Sequence, residues 1–403
     1  MKKLFVLFLT ALLLAGCASA SAEEAETVSE EISPQVLFSR GSELPVKYIP
    51  QPDPLDLILE NMTLKQKVGQ LFIAAPEQLL PAAGQITAMS SGLASAMEQY
   101  PVGGIILFGD NIRSPEQLLA LNSALQSAGK LPLFLAVDEE GGAVARLART
   151  GSFGLPRYSS AAAVGASGDP ADALEMGRTI GNYLKTYGFN VNFAPVADVN
   201  TNPYNPVIGK RAFSSDPVIA AQMAASFAQG LGDEGIAATF KHFPGHGDTA
   251  EDSHAGLAVS YKTREALDSC EWLPFLEAGS ADMVMIGHIA LPNVTGDMTP
   301  ATLSRQIVTE ILKEQLGFSG LVVTDSMQMG AITADYTAGD AAVLALQAGC
   351  DLILMPADLE AAFDGVTAAV KDGTLSREWL EVTVRRILEF KVQQGILILE
   401  EGQ

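Results

Sequence analysis

Eight short apolar runs recur along the chain, each separated from the next by a helix-like stretch. They are Val68–Ala74, Gly104–Phe108, Leu133–Val137, Val191–Val196, Ile236–Phe240, Met283–Ile286, Leu321–Thr324 and Leu352–Met355. Runs that are apolar throughout predict strands covered on both faces, as in a parallel sheet. The segments between them include the amphipathic stretches Pro115–Ala128 and Pro217–Glu234. Strand and helix in strict alternation predict βαβ units. Eight repeats favour an α/β fold of the (β/α)8 TIM-barrel type over an open doubly wound sheet. Hydrophobic residues make up 48% of the sequence, enough for the core such a barrel needs.

Polar residues gather just after these runs. Asp138 follows the third, Asp198 and Asn200 the fourth, Lys241 and His242 the fifth, His288 the sixth and Asp325 the seventh. In a barrel these ends converge on one face, where barrel enzymes place their chemistry. The densest group is Lys241-His242-Phe243-Pro244-Gly245-His246-Gly247-Asp248-Thr249-Ala250-Glu251-Asp252-Ser253-His254, which holds three of the four histidines. Pro244, Gly245 and Gly247 predict an irregular loop here. Zinc ligation by His242, His246 and His254 is a poor fit, because Pro244-Gly245 breaks the helix that two-His spacing needs. On its own, Asp325 reads either as a helix cap or as a functional carboxylate at the barrel mouth.

The stretch Lys241–Gly247 followed by Asp252-Ser253-His254 resembles the signature of bacterial β-N-acetylhexosaminidases of glycoside hydrolase family 3. The resemblance runs from about Pro54 to Ile396. It implies a retaining glycosidase with Asp325 as nucleophile. It implies His254 as general acid and base, oriented by Asp252. A carboxylate suits the first role, because it is ionised at neutral pH and forms an ester that water can cleave. Histidine suits the second through its near-neutral pKa. By resemblance, Asp138, Arg146, Arg211, Lys241 and His242 bind the sugar. The implied activity is exo-cleavage of terminal β-linked N-acetylglucosamine from cell-wall fragments or chitooligosaccharides, without metal or organic cofactor. A β-glucosidase of the same family and a non-catalytic sugar-binding lipoprotein are the alternatives. The chain departs from the family at Glu139, often Gln, at Ala143, often Arg, and at Ser326, often Asp. These departures bear on specificity at the edge of the site. Some relatives carry a further C-terminal α/β domain, for which this sequence ends early.

The N-terminus reads as a targeting segment. Lys2 and Lys3 precede an apolar run, Leu4–Leu14. Leu14-Ala15-Gly16-Cys17 resembles a bacterial lipobox, implying a signal peptide over 1–16 and a lipid anchor on Cys17. An ordinary secretory signal cut after Ala20 is the alternative. Residues 17–50, rich in Ser, Ala and Glu, predict a disordered tether on the extracytoplasmic face of the cell membrane, and 51–403 the catalytic domain. A net charge of −22 disfavours nucleic acid and anionic membrane surfaces as partners. Cys270 and Cys350 are expected as buried free thiols.

Overall fold

In the computed structural model the described residues are 53–250, 256–280 and 282–399. Eight strands form one parallel sheet. They are β1 (Phe72–Ala74), β2 (Gly104–Leu107), β3 (Phe134–Val137), β4 (Val191–Asn192), β5 (Ala237–Phe243), β6 (Met283–Ile286), β7 (Leu321–Thr324) and β8 (Ile353–Leu354). Their spatial order is β7-β6-β5-β4-β3-β2-β1-β8. A parallel bridge between Val323 and Leu352 joins the two ends, with Leu352 N–H donating to Val322 O at 3.0 Å. The sheet therefore closes into the (β/α)8 barrel that the repeats predict. Every residue in the eight strands is buried, as expected of strands with side chains packed inside the barrel and helices outside.

Three of the longer outer helices start in the same way. Ser114, Asp169 and Asp216 cap the helices Pro115–Ala128, Pro170–Thr186 and Pro217–Asp233 with their side chains, and proline occupies the first turn of each. Proline is tolerated there because the first-turn N–H groups lack helical acceptors anyway. The fourth run is shorter as a strand than its composition implies. Pro195 has no N–H to donate, so the regular strand stops at Asn192, and the segment beyond it stays attached to β5 through the Ala194 and Pro195 carbonyls and a bridge between Val196 and Lys241. The first run begins as helix. Thr63 and Gln66 form a capping box that sets up Leu64–Gly69, leaving only Phe72–Ala74 extended. Likewise only Ile353–Leu354 of the eighth run is strand. Cys350 is a buried free thiol, while Cys270 is free but only half-buried.

The N-terminal mouth is closed by Lys391 from the last helix, Arg377–Gln393. Its ammonium is fully buried. It donates to Gln70 Oε1 at 2.8 Å and Gly103 O at 3.0 Å, and sits 4.6 Å from the Phe134 ring centre. These are neutral partners, and burial pushes the Lys391 pKa down to about 7. In the unfolded chain the amine titrates near 10.4. Between the two values the unfolded state holds the extra proton. Stability therefore rises with pH from about 7 towards 10, and the deficit is fully present below 7. The prediction is that the melting temperature of wild type gains on that of Lys391→Met as pH is raised from 6.5 to 9, read by parallel thermal melts. A pH-independent difference between the two proteins would contradict a neutralised buried amine.

Candidate active site

The C-terminal ends of the strands bring most of the candidate residues into one cavity of about 400 Å³. Asp138, Arg146, Arg211, Lys241, His242 and Asp325 all line it. Asp252 and His254 lie outside the described residues. The sequence between β3 and the next helix folds into a small hairpin, Glu139–Gly141 against Val144–Ala145. Glu139 is fully buried and does not line the cavity. Its carboxyl group accepts the N–H groups of Arg146, Leu147 (2.9 Å) and Ala148 (2.9 Å) and the Tyr183 hydroxyl (2.9 Å). Burial pushes this carboxyl upward, against those four donors. Glu139 thus fastens the segment that carries Arg146, and its departure from the family pattern bears on loop anchoring rather than on sugar contact.

Glu140, the next residue, does face the cavity, and sequence reasoning assigned it no role. Arg211 grips it in a two-pronged ion pair, Nε to Oε2 at 2.8 Å and Nη2 to Oε1 at 2.7 Å. Lys241 Nζ lies 2.7 Å from the same Oε1 and 2.9 Å from Asp138 Oδ1. Burial raises the Glu140 carboxyl, but the charges of Lys241 and Arg211 outweigh it and hold it far below the usual carboxylate range. Lys241 is raised in turn by Asp138 and Glu140, against burial. Asp138 is less committed. Its second oxygen meets Arg146 Nη2 only at 3.4 Å, and Arg146 Nε is buried without an acceptor among the described residues. A carboxylate with spare lone pairs beside unspent guanidinium N–H groups suits the vicinal hydroxyls of a sugar ring.

Lys241 and His242 stand within β5 itself, not on a loop after it. The strand extends to Phe243, and its register against β6 slips between Lys241 and Phe243, where the Lys241–His242 peptide is cis. Both side chains line the cavity despite being adjacent. Behind them, fully buried Asp198 accepts His242 Nδ1–H at 2.8 Å, His242 N–H at 3.2 Å and His246 N–H at 2.6 Å. Burial raises the Asp198 carboxyl, but His242 and His246 hold it low. This fixes the His242 tautomer and leaves Nε2 to the cavity. His246 also lines the cavity. Its Nδ1 lies 2.6 Å from Thr249 Oγ1, and burial, then His242, lowers its pKa. The two histidines thus direct Nδ1 to protein partners, and no group of three or more potential metal ligands occurs among the described residues. Gly247 sits where a Cβ would lie 1.8 Å from Val199 O, so the segment after β5 is pressed onto the segment after β4.

Asp325 follows β7 directly. Its Oδ1 accepts the Ser326 N–H at 2.7 Å. Burial raises its carboxyl, but His242, His288, the Ser326 N–H and Lys241 together hold it below the ordinary aspartate value. His288 is fully buried and stands behind the cavity. Nε2–H donates to Ser326 O at 2.9 Å, and Nδ1 meets Thr302 Oγ1 at 2.7 Å. His288 therefore steadies the turn that carries Asp325. Ser326 lines the cavity, whereas exposed Ala143 does not.

An ionised carboxylate thus shares one cavity at the mouth of a barrel with a cradle of charge-paired side chains. Residues 63–390 match the family described as Glycosyl hydrolase family 3 N terminal domain. The chain belongs to glycosyl hydrolase family 3. It is 35% identical to Beta-hexosaminidase A of Pseudoalteromonas piscicida, with 76% of this chain and 56% of that protein covered. The structure of a glycoside hydrolase family 3 β-N-acetylglucosaminidase from Paenibacillus sp. str. FPU-7 superposes with a TM-score of 0.78 at 38% identity, covering 85% of this chain and 65% of that one. A β-N-acetylhexosaminidase from Beutenbergia cavernae gives 0.73 at 30% identity, covering 83% and 99%. The chain therefore spans little more than half of the first relative and nearly all of the third.

Asp198 touches no part of the cavity surface, yet three hydrogen bonds to the β5 segment depend on it. Asp198→Asn keeps its shape but places an N–H against a donor. We expect kcat/KM on an aryl glycoside to fall about 10- to 100-fold, the scale seen when a group that orients a reacting residue is lost. The fold should persist, with stability lowered by about 1–3 kcal/mol through lost hydrogen bonding. Activity within twofold of wild type would show that His242 does not need this anchor.

Proposed function

We propose that this chain is a retaining exo-β-N-acetylglucosaminidase that removes terminal β-linked N-acetylglucosamine by double displacement. The carrying observation is Asp325, held ionised at the end of β7 opposite the Asp138, Arg146, Lys241 and Arg211 cradle. In the first step Asp325 attacks the anomeric carbon, and the leaving oxygen takes a proton as its bond to that carbon breaks. In the second step water attacks the glycosyl ester, gives up a proton, and releases the carboxylate.

The proton donor must come from elsewhere in the site. Glu140 is held ionised by two cations, and His246 is lowered by burial and by His242. Neither suits a general acid. We assign the role to His254, with Asp252 as its orienting partner. Thr249, shortly before them in the sequence, is anchored at the site, its carbonyl accepting from Asn202 Nδ2 (3.1 Å) and Asn205 Nδ2 (3.0 Å). The names of the relatives supply the N-acetylglucosamine specificity of this reading.

Asp325→Asn should lower turnover of nitrophenyl N-acetylglucosaminide by about 10³-fold or more, equivalent to ~4 kcal/mol of lost transition-state stabilisation. His254→Ala should lose roughly 10²-fold or more on chitobiose, whose leaving alcohol needs a proton, and less on the nitrophenyl substrate. Azide should then restore turnover on the latter, because it attacks without a base. Equal losses on both substrates with no rescue by azide would place the acid elsewhere. Retained activity in Asp325→Asn would remove the nucleophile assignment, and a preference for nitrophenyl glucoside would remove the substrate assignment.

We also propose that residues 1–16 are a signal peptide, that Cys17 carries the lipid, and that residues 17–50 tether the catalytic domain to the extracytoplasmic face. Lipoprotein anchors hold stably because they combine two or more acyl chains. Cys17→Ser should move activity from the membrane fraction to the soluble or secreted one. Unchanged partition would refute lipidation at this residue.

A further inference from the structure

The hairpin that follows β3 has two faces, and each lines a different pocket. Glu140 and Val144 line the sugar cavity, whereas Gly141, Gly142 and Ala145 line a second pocket of about 240 Å³. Neighbours along a strand point to opposite sides, so the smaller pocket lies on the reverse of the hairpin. The two pockets share no lining residue.

The walls of the reverse pocket are closely fitted. A Cβ on Gly142 would lie 2.9 Å from Ser160 Cα, and one on Gly141 would lie 2.3 Å from Met176 Cε. The hairpin tip is therefore pressed onto the segment before the next helices and onto the helix Pro170–Thr186. Tyr183 of that helix also lines the pocket, and its hydroxyl donates to Glu139 at 2.9 Å. One wall is thus tied to the carboxyl group that fastens the segment carrying Arg146.

Two exposed arginines line this pocket, and both are directed by backbone carbonyls of the same segment. Arg149 Nη1 donates to Ala143 O at 3.2 Å, and Arg157 Nε donates to Ala148 O at 2.7 Å. Each spends one of its five N–H groups in this way. Neither makes an ion pair among the described residues, and the pocket lining holds no carboxylate. The hydroxyl of Tyr158, a third lining residue, has no hydrogen-bond partner among the described residues either. The whole chain carries 47 acidic against 25 basic residues, so two neighbouring guanidinium groups left without a carboxylate stand out as a site of uncompensated positive charge.

Guanidinium N–H groups match the oxygens of a phosphate in pairs. Two of them together with a hydroxyl, from three residues, suit an anion whose oxygens point in several directions. We propose that the reverse pocket binds a phosphate-type oxyanion, free or as a phosphomonoester, and that its occupancy braces the hairpin and so tightens the hold of Arg146 on the sugar. An anion bridging Arg149 and Arg157 would join the residues that hold the carbonyls of Ala143 and Ala148, on either side of Arg146.

The test is calorimetric titration of the full chain with inorganic phosphate and with glycerol 3-phosphate, at constant ionic strength. We expect one saturable site per chain for inorganic phosphate. Binding of the ester with equal or greater affinity assigns the site to a phosphate carried on a larger molecule, and weaker binding assigns it to the free anion. Acetate and chloride should give no saturable response. Arg149→Gln and Arg157→Gln should each weaken binding about tenfold or more, the effect of losing a charged hydrogen bond. Arg157→Lys, which keeps the charge, should retain part of it. Phosphate should lower KM for nitrophenyl N-acetylglucosaminide about fivefold in wild type, the lower end of usual coupling, and leave it constant in Arg157→Gln. N-acetylglucosamine should in turn tighten phosphate binding, because coupling between two sites is reciprocal. Absence of saturable binding, equal affinity in both glutamine variants, or displacement of phosphate by N-acetylglucosamine would overturn the site. A KM indifferent to saturating phosphate would overturn the bracing. If neither sugar compound is recognised, the glycosidase reading fails, while the anion site still stands or falls on the arginine variants.

Discussion

The ammonium of Lys241 is the constraint around which the mouth of the barrel is organised. Only 3% of Lys241 is exposed. An isolated charge at such a depth would be strongly destabilising, and a single carboxylate rarely offsets its desolvation. Two carboxylates, Asp138 and Glu140, meet it, and Arg211 balances the second of them. The chain thereby commits residues from the segment after β3, from β5 and from the segment after β4 to one charge-neutralising lattice. Such a lattice is rigid for an electrostatic reason. Moving any member strands a buried charge. The pocket is thus oriented before a ligand arrives, which is the condition for fixed dipoles and charges to stabilise a transition state without reorganising.

The barrel was legible because its strands must be apolar on both faces and must recur. Met283–Ile286 and Leu321–Thr324 coincide with β6 and β7. The misreadings have local causes. Val68 belongs to a helix because Thr63 and Gln66 cap it, a signal that begins five residues upstream of the apolar run. Pro195 cuts β4 short although the residues around it are strand formers. Pro244 and Gly245 pointed to a loop after Phe240, yet β5 continues through Phe243 because Asp198 and the β6 backbone supply partners there.

The site was legible where side chains stand directly at strand ends, as Asp138 and Asp325 do. It was not legible where a residue acts through a distant partner. Glu140 acquires its role from Arg211, 71 residues away, and from Lys241. Asp198 was visible after β4, but nothing in the sequence tied it to His242, 44 residues on. His288 was visible after β6, but its partners, Thr302 and the Ser326 carbonyl, are set by packing alone. Residues whose function is to hold other residues leave little trace in spacing, since their partners are chosen by the closed barrel and not by the chain.

Glu139 illustrates what this means for change over time. Its four donors come from the segment 146–148 and from Tyr183 on the helix Pro170–Thr186. The hairpin that presents Arg146 is therefore not a cassette that a related barrel could accept alone. Exchanged without Tyr183, it would arrive with a buried carboxylate short of a donor, and a glutamine in its place would bring an N–H into a nest of N–H groups. Recombination between relatives should then succeed only when crossovers leave residues 139–183 on the same parental block, so that the sugar-gripping loop and an outer helix are inherited together.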